Sequence, residues 1–289
     1  MPTLVIRFSS LGDIVLCAAI TQHLAPVTFV TKERYRELAA SLPGVESVCC
    51  PPNDPLPSNI ERIVDLHNNL RSWRYTFALR VPCTRVQRYD IKRRMRVAFK
   101  VGKPPPKVIE RYAQAANGPI SPKPWLSPPQ RRNNLVVCPT TQHFTKAWDP
   151  ERYAQIIQRW NGSTVLLGSA SERTLLMDIA RISQKSCHIV AENGFVQTLD
   201  ILQDARLALG GDTGLMHLCG AMDIPLVMLF GPTTSEDGFW CHRGIALEVE
   251  RYCRPCSRFG SVACPIGDHA CMCLIDVDQV WAAVQKVSA

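Results

Sequence analysis

Short apolar runs rich in β-branched residues alternate with longer segments of helical periodicity along this 289-residue chain. The strands predicted from these runs cover residues 3–8, 27–31, 46–50, 62–66, 84–89, 135–139, 163–168, 187–191, 206–211 and 225–231. The predicted helices cover about 13–25, 33–41, 71–80, 91–100, 149–160, 171–183, 196–205 and 214–222. Such alternation is typical of parallel sheets with helices on both faces. The pattern therefore predicts an α/β fold.

A proline-rich stretch at 117–134 interrupts this alternation, with five prolines in 18 residues. A cluster of this kind indicates a linker. We therefore predict two doubly wound, Rossmann-like domains that face each other across a cleft. The first covers residues 1–130. The second covers residues 131–289 and includes a cysteine-rich loop at 253–273 and a C-terminal helix.

The composition is that of a globular protein, with 46% hydrophobic and 20% charged residues. No apolar run approaches the roughly 18–20 residues that a membrane span requires. The first residues, "MPTLVIRFSS", lead directly into a strand pattern without the features of a signal peptide. We therefore expect a cytoplasmic protein.

The net charge of +8 is unevenly distributed. Between Arg85 and Arg111 the chain has ten Lys or Arg residues against two acidic ones. A solvated helix face explains many such runs, but this imbalance favours an anionic partner: a nucleic acid, a membrane surface or a phosphorylated substrate. Few aromatic residues are interspersed, which argues against a stacking platform for single-stranded nucleic acid.

Polar residues cluster at the corner "RFSSLGD", where the first strand meets a helix. Ser9, Ser10, Gly12 and Asp13 lie there. Ser and Asp at a helix start commonly cap free N–H groups, so this corner is either a cap or a site.

A second corner, "LALGGDTGLMH", has a richer set of side chains. Gly210 and Gly211 would let the backbone approach a ligand closely, and the corner continues with Asp212, Thr213, Gly214 and His217. Taken singly, the acid or hydroxyl is explained as a cap and the histidine as a core residue. Together they describe a helix N-terminus that binds a phosphate and its attached sugar.

A third polar segment, "CPTTQHFTKAWDPERY", lies between these corners. Thr140 and Thr141 end a predicted strand, and Asp149 followed by Pro150 starts a helix. Lys146, in the loop between them, is either a surface charge or a phosphate clamp. The chain lacks both the G-x-G-x-x-G and the G-x-x-x-x-G-K-[ST] motifs of common nucleotide-binding loops.

Thirteen cysteines need a separate explanation, because disulfides are rare in a reducing cytosol. Most of those outside 253–273 lie in apolar runs, as core residues would. The spacing Cys253-x2-Cys256-x7-Cys264-x6-Cys271 suits a tetrahedral structural metal site, and free thiols in a loop are the alternative.

The motifs "SSLGD", "DLHNNLRS", "PTTQHFTKAWDPERY", "LLGSASE", "GGDTGLMHLCGA", "IPLVMLFGPT" and "CRPC…CPIGDHACM" occur in this order. With them the chain resembles the heptosyltransferases of glycosyltransferase family 9, which build the lipopolysaccharide core. This resemblance implies a GT-B fold and inverting transfer of heptose from ADP-heptose without a catalytic metal. Similar cysteines recur in the family, so a structural zinc or iron ion is implied as the only metal.

The resemblance also implies roles for individual residues. Asp13 matches the catalytic base, which accepts the proton of the acceptor hydroxyl. The implied phosphate contacts are the hydroxyls of Thr140 and Thr141, the Lys146 ammonium and the amides of Thr213, Gly214 and Leu215, supported by His217. Asp212 matches a residue that contacts the sugar, and Glu172 one near the nucleoside. Ser9, Ser10 and Gly12 complete the implied donor-binding set.

The resemblance implies an ADP-heptose donor. The basic run between Arg85 and Arg111 predicts an anionic glycolipid or glycan acceptor and peripheral contact at the inner membrane surface, and no nucleic-acid partner is expected. Two alternatives stay open. One is a nucleic-acid-binding protein with a cysteine metal knuckle, which would leave Asp13, Lys146 and Asp212 without roles. The other is a catalytically silent relative that binds nucleotide-sugars.

Overall fold

The computed structural model describes residues 1–130, 133–192, 194–236 and 243–288. The chain divides into two compact units, one of Met1–Tyr89 with Pro106–Ser127 and one of Asp90–Pro105 with Pro128–Ala289. The predicted domain boundary falls at Arg131, which lies outside the described residues. Residues 90–105, predicted as part of the first domain, group with the second unit.

The described strands are β1 Thr3–Ile6, β2 Val27–Val30, β3 Val45–Cys49, β4 Arg62–Asp65, β5 Cys83–Arg85, β6 Asn134–Cys138, β7 Thr164–Leu167, β8 Cys187–Val190, β9 Ala205–Gly211, β10 Leu226–Phe230 and β11 Gly244–Glu248. The described α-helices are α1 Leu11–Thr21, α2 Arg36–Ala40, α3 Leu70–Leu79, α4 Asp90–Phe99, α5 Val108–Ala116, α6 Pro150–Arg159, α7 Arg173–Ser183, α8 Phe195–Leu202, α9 Gly214–Ala221, α10 Ala270–Cys273 and α11 Val277–Ser288.

The first unit contains a parallel sheet in the order β3-β2-β1-β4-β5. All four residues of β1 are buried, as expected for a central strand covered on both faces. Leu4, Ile6 and Phe8 pack with Val30 and Ile63 in the core of this unit.

The second unit contains a six-stranded parallel sheet in the order β11-β10-β9-β6-β7-β8. Helix α6 begins as predicted: Asp149 accepts a hydrogen bond from the Glu151 N–H at 2.9 Å, and Pro150 occupies the first turn. Its buried face, with Tyr153, Ile156 and others, packs into the core of this unit.

The two parallel sheets confirm the predicted α/β class, and every predicted strand overlaps an observed one. Helix α5 was not predicted, because its apolar residues lie between the basic run and the proline-rich stretch. In the structure Val108, Tyr112 and Ala116 are buried, and α5 packs against α1. Strand β11 was also missed, because it is an edge strand with no fully buried residue.

None of the described helices combines the length and the apolar character needed to cross a membrane.

Candidate active site

Polar residues follow four adjacent strands at one edge of the second sheet. Because β7, β6, β9 and β10 are parallel neighbours, their carboxyl ends share that edge. The polar residues that follow these strands are Glu172 after β7, Thr140 and Thr141 after β6, Asp212, Thr213 and His217 after β9, and Thr233 after β10. The fold thus brings the predicted residues of this unit to the position where doubly wound sheets bind ligands.

A buried ion pair lies at the centre of this edge. The Lys146 Nζ donates to the Asp212 Oδ2 at 2.5 Å and to the Asp212 backbone carbonyl at 3.1 Å. The side chains are 9% and 2% exposed. Thr233 donates to the same carboxylate oxygen at 3.3 Å. Lys146 is therefore held beside the first residues of α9, not extended into solvent as a surface lysine would be.

The Asp212 carboxylate is ionised despite its burial. Burial alone would raise the pKa of the carboxyl, but the Lys146 ammonium and His217 hold it well below its ordinary value. His217 is 2% exposed, and its Nε2 lies 3.6 Å from the Asp212 Oδ1. The three predicted residues form one cluster.

The N-terminus of α9 has no side-chain cap. Thr213 occupies the N-cap position, but its hydroxyl bonds no N–H of the helix. The Thr213 Oγ1 is buried and has no hydrogen-bond partner among the described residues. The first N–H groups of a helix have no partner within the helix. In α9 these groups include the backbone N–H groups of Gly214 and Leu215. This end of the helix therefore presents donors suited to an anion.

Packing within the second unit requires a glycine at position 210. A Cβ on this residue would lie 2.5 Å from the Cys138 carbonyl oxygen and 3.0 Å from the Met216 sulfur. The absence of a side chain is thus required for packing of β9 against β6 and α9, and the close approach to a ligand stays a prediction.

Glu172 and the two threonines are less tightly organised. The Glu172 carboxylate accepts hydrogen bonds from the Ser169 N–H at 2.8 Å and hydroxyl at 2.6 Å, so it caps the start of its own helical turn. Thr140 is buried near Gly168, and the Thr141 hydroxyl accepts from the His143 N–H at 3.3 Å. These residues lie at the carboxyl edge of the sheet, but none of their hydrogen bonds among the described residues reaches the Lys146–Asp212 pair.

The cysteine-rich loop supports the turn that carries Lys146. The Thr145 N–H donates to the Ser261 carbonyl at 3.2 Å, and the Ser261 N–H donates to the Thr145 hydroxyl at 2.8 Å. The His269 Nε2 lies 3.0 Å from the Thr145 carbonyl oxygen, and its ring packs on Phe144 with centroids 4.8 Å apart. The loop therefore positions the residue next to Lys146 from two directions.

The four cysteines predicted as metal ligands, Cys253, Cys256, Cys264 and Cys271, all line one small cavity with Thr145 and His269. All cysteines in the part of the chain that the structure describes are free thiols. Within those residues, however, no group of three or more His, Cys, Asp or Glu side chains has a geometry that could hold a metal ion. The four cysteines thus share one cavity, although their side chains as placed do not form such a group among the described residues.

The candidate base of the first unit lies where β1 meets α1. The Asp13 carboxylate is 2.7 Å from an Arg7 nitrogen and accepts hydrogen bonds from the Ser10 N–H at 3.1 Å and hydroxyl at 2.9 Å. Its side chain is 20% exposed. Ser10 is therefore a partner of the carboxylate, whereas Gly12 is buried in the first helical turn and Ser9 precedes it.

Burial would raise the pKa of Asp13, but Arg7 and the Ser10 donors lower it below its ordinary value. Arg7 also donates to the Leu66 carbonyl at 2.5 Å, which fixes its guanidinium. The Tyr112 hydroxyl lies 3.5 Å from the Asp13 Oδ1. Asp13 is thus an ionised carboxylate, partly accessible and rigidly oriented.

Arg7, Tyr112 and Thr233 were missed from the sequence. The sequence does contain a signal for Arg7 as a site residue, because Arg7 leads into the "SSLGD" corner six residues before Asp13. Thr233 follows β10 in "FGPTT" and had the same kind of signal. Tyr112 had none, because it comes from α5, far along the chain.

The fold and these two corners define a two-unit α/β protein with a carboxylate at one strand–helix corner and, at another, a helix N-terminus without a side-chain cap beside a buried lysine. The sequence profile of glycosyltransferase family 9 (heptosyltransferase) matches residues 63–265, more than half of the chain. The chain belongs to this family.

Comparison with individual proteins agrees with this assignment. Lipopolysaccharide heptosyltransferase 1 of Pseudomonas aeruginosa is 30% identical over 127 residues, which are 42% of this chain and 36% of that protein. The match thus spans about a third of the curated relative.

Solved structures show the same fold over the whole chain. The ADP-heptose heptosyltransferase II of Escherichia coli superposes with a TM-score of 0.72 at 18% identity, covering 100% of this chain and 98% of that one. A family 9 glycosyltransferase of Veillonella parvula gives a TM-score of 0.76 at 15% identity, covering 99% and 97%. The iron-containing glycosyltransferase TibC of enterotoxigenic E. coli gives 0.64 at 12% identity, covering 99% and 75%. The chain has the GT-B fold.

Proposed function

We propose that this protein is an inverting glycosyltransferase that moves heptose from ADP-heptose to an acceptor of the lipopolysaccharide-core type. The observation that carries the proposal is the position of Lys146 in the second unit, where its ammonium lies against the uncapped N-terminus of α9. An ammonium and free helix amides together stabilise the charge of a diphosphate.

The second unit would bind the donor. The diphosphate would take its hydrogen bonds from Lys146, the Thr213 hydroxyl and the amides of Thr213, Gly214 and Leu215. Because Asp212 is buried against Lys146, we propose that it orients this ammonium, with His217 beside it. A contact between Asp212 and the sugar, and contacts of Thr140, Thr141 and Glu172 with the rest of the donor, remain predictions.

The first unit would supply the base. The oxygen of the acceptor hydroxyl attacks the anomeric carbon as the bond from that carbon to the diphosphate oxygen breaks, which inverts the configuration. The proton of the hydroxyl passes to Asp13, whose lowered pKa keeps its carboxylate ionised before the step. The departing diphosphate keeps its electron pair, and the Lys146 region stabilises its charge. Nothing in this sequence of steps requires a metal.

We further propose that the enzyme acts in the cytoplasm on an anionic glycolipid acceptor and contacts the inner membrane surface peripherally. This proposal draws on the excess of basic residues between Arg85 and Arg111.

A donor screen tests the proposed function. ADP-, UDP-, GDP- and CMP-sugars are compared for their effect on the melting temperature, since a ligand at a hundredfold excess over its Kd stabilises by about 2.7 kcal/mol. We expect ADP-heptose to give the largest shift and, with a lipopolysaccharide-core acceptor, to release ADP and form a product of inverted anomeric configuration. A larger shift with oligonucleotides would favour the nucleic-acid alternative. Donor binding with no ADP release on any such acceptor would favour the silent relative.

We also propose that Cys253, Cys256, Cys264 and Cys271 bind a structural zinc or iron ion, supported by the cavity that they share. Metal analysis of the purified protein is expected to find about one ion per chain, reduced in Cys256→Ser but not in Cys187→Ser. A chain that purifies without stoichiometric metal and melts at the same temperature after chelation would contradict this.

A further inference from the structure

The basic run contains a helix whose two faces differ sharply. Residues 90–105 have six Lys or Arg residues and one acidic residue, Asp90. Helix α4 covers most of this segment. A uniformly solvated helix would expose its cations all round, but here Arg93 is only 8% exposed.

One face of α4 is anchored to the cysteine-rich part of its own unit. Arg93 donates to the Arg258 carbonyl at 2.8 Å, and its guanidinium lies 4.8 Å from the centre of the Phe259 ring. The Arg258 guanidinium pairs with Asp90 at 3.2 Å, and the Lys100 ammonium donates to the Pro255 carbonyl at 2.7 Å. These contacts fix the rotation of α4 about its axis.

The opposite face presents apolar side chains to solvent. Ile91 is 78% exposed, Met95 48% and Phe99 62%. Residues spaced by four lie on one side of a helix, so these three form a continuous stripe. Val101, just beyond the helix, is 60% exposed. An apolar stripe of this kind on the surface marks an interaction site.

Cations border this stripe. Lys92 and Arg94 are exposed and lie on its two sides by helical spacing, and Lys103 is exposed beyond the helix. An apolar stripe between exposed cations is the pattern of helices that lie in the plane of a membrane interface. A second copy of the chain fits less well, because a two-fold contact would bring the same cations together.

We infer that α4 is a membrane-docking element, which inserts Ile91, Met95 and Phe99 into an anionic lipid surface while Lys92 and Arg94 contact the headgroups. This role of α4 deepens the proposed function, and it rests on that function because the lipid-linked acceptor is what would bring the protein to the membrane. It differs from attachment by charge alone, since burial of apolar side chains is not screened by salt.

Flotation with vesicles, done without donor or acceptor, tests this inference on the full chain. Vesicles of phosphatidylethanolamine and phosphatidylglycerol are compared with vesicles of phosphatidylcholine at 0.1 and 0.5 M NaCl. We expect binding to the anionic vesicles that weakens at high salt but persists. Lys92→Gln with Arg94→Gln should lower the partition coefficient about fivefold per charge at low salt. Met95→Gln with Phe99→Gln should lower it at least tenfold and abolish the part that survives high salt.

The matched control replaces exposed apolar residues of other helices in the same unit, Met177→Gln with Val196→Gln, which are 53% and 56% exposed. This variant should bind vesicles as the wild type does. Equal binding of the Met95/Phe99 variant and the wild type, or no binding by the wild type, would overturn the inference. So would a concentration-dependent dimer that the Met95/Phe99 variant abolishes. Donor binding is measured separately, so a chain that floats but binds no ADP-sugar would refute the proposed function alone.

Discussion

At each of the two strand–helix corners an aspartate pairs with a cationic side chain, yet the two ion pairs differ in their access to solvent. At the β1–α1 corner the Arg7 and Asp13 side chains are 16% and 20% exposed. At the β9–α9 corner Lys146 and Asp212 are 9% and 2% exposed. A proton acceptor must reach the hydroxyl that it deprotonates, so exposure favours Asp13 as the base. The buried acid is instead suited to hold its lysine in place.

The largest effect is expected at Asp13, the more accessible of the two acids. Asp13→Asn removes the proton acceptor but keeps the size of the side chain, so transfer should fall by about 100- to 10,000-fold. Calorimetry should show unchanged ADP affinity. Asp149→Asn, which alters a helix cap in the second unit, is the control and should retain activity. Wild-type turnover by Asp13→Asn would show that Asp13 is not the base, and the difference in exposure between the two corners would then have no catalytic meaning.

The buried pair should respond differently, through both folding and binding. Lys146→Ala leaves the Asp212 charge without its partner in the interior, so the free energy of unfolding should fall by about 3–5 kcal/mol. The affinity for ADP should fall roughly 10- to 150-fold, because a hydrogen bond to a charged group contributes about 1.5–3 kcal/mol.

A double variant separates these two consequences. Lys146→Ala with Asp212→Asn removes the unpaired charge, so denaturant unfolding should show much of the stability restored while ADP affinity stays low. If the double variant binds ADP as tightly as the wild type, Lys146 is a structural residue only.

The Arg7–Asp13 pair should affect the pH dependence of kcat/KM. Burial raises the pKa of Asp13, whereas Arg7 and the Ser10 donors lower it, so the loss of Arg7 in Arg7→Gln should raise this pKa. Because the proposed base acts when deprotonated, the acid limb of kcat/KM should move to higher pH. Arg36→Gln, which breaks a surface ion pair, should leave the limb in place. An equal loss at every pH would instead indicate that Arg7 only supports the fold.

The smallest effect is expected at the uncapped end of α9. Thr213→Val removes a hydroxyl that has no partner in the described structure, so stability should be unchanged while ADP affinity falls about 2- to 10-fold. Thr164→Val is a close control, since the Thr164 hydroxyl is also buried without a partner among the described residues but lies within β7. Equal ADP affinity of wild type and Thr213→Val would argue against phosphate binding there.

Much of the fold was predictable because local patterns are strong in buried parallel strands. Runs such as residues 135–139 and 225–231 are apolar throughout, and the Asp149–Pro150 start of α6 follows from capping chemistry. Helix α5 and strand β11 escaped, since their signals are weak beside the charged and proline-rich segments around them.

The sequence by itself determined which polar residues gather in the fold: acids, hydroxyls and a lysine that follow apolar strands lie at the carboxyl edges of parallel sheets. It could not show how those residues are paired. Tertiary structure decided that Lys146 meets Asp212 across 66 positions of chain and that Tyr112 from α5 lies beside Asp13. It also placed residues 90–105 in the second unit and turned Arg93 inward. Burial and long-range contacts arise only when distant segments pack, so no local pattern contains them.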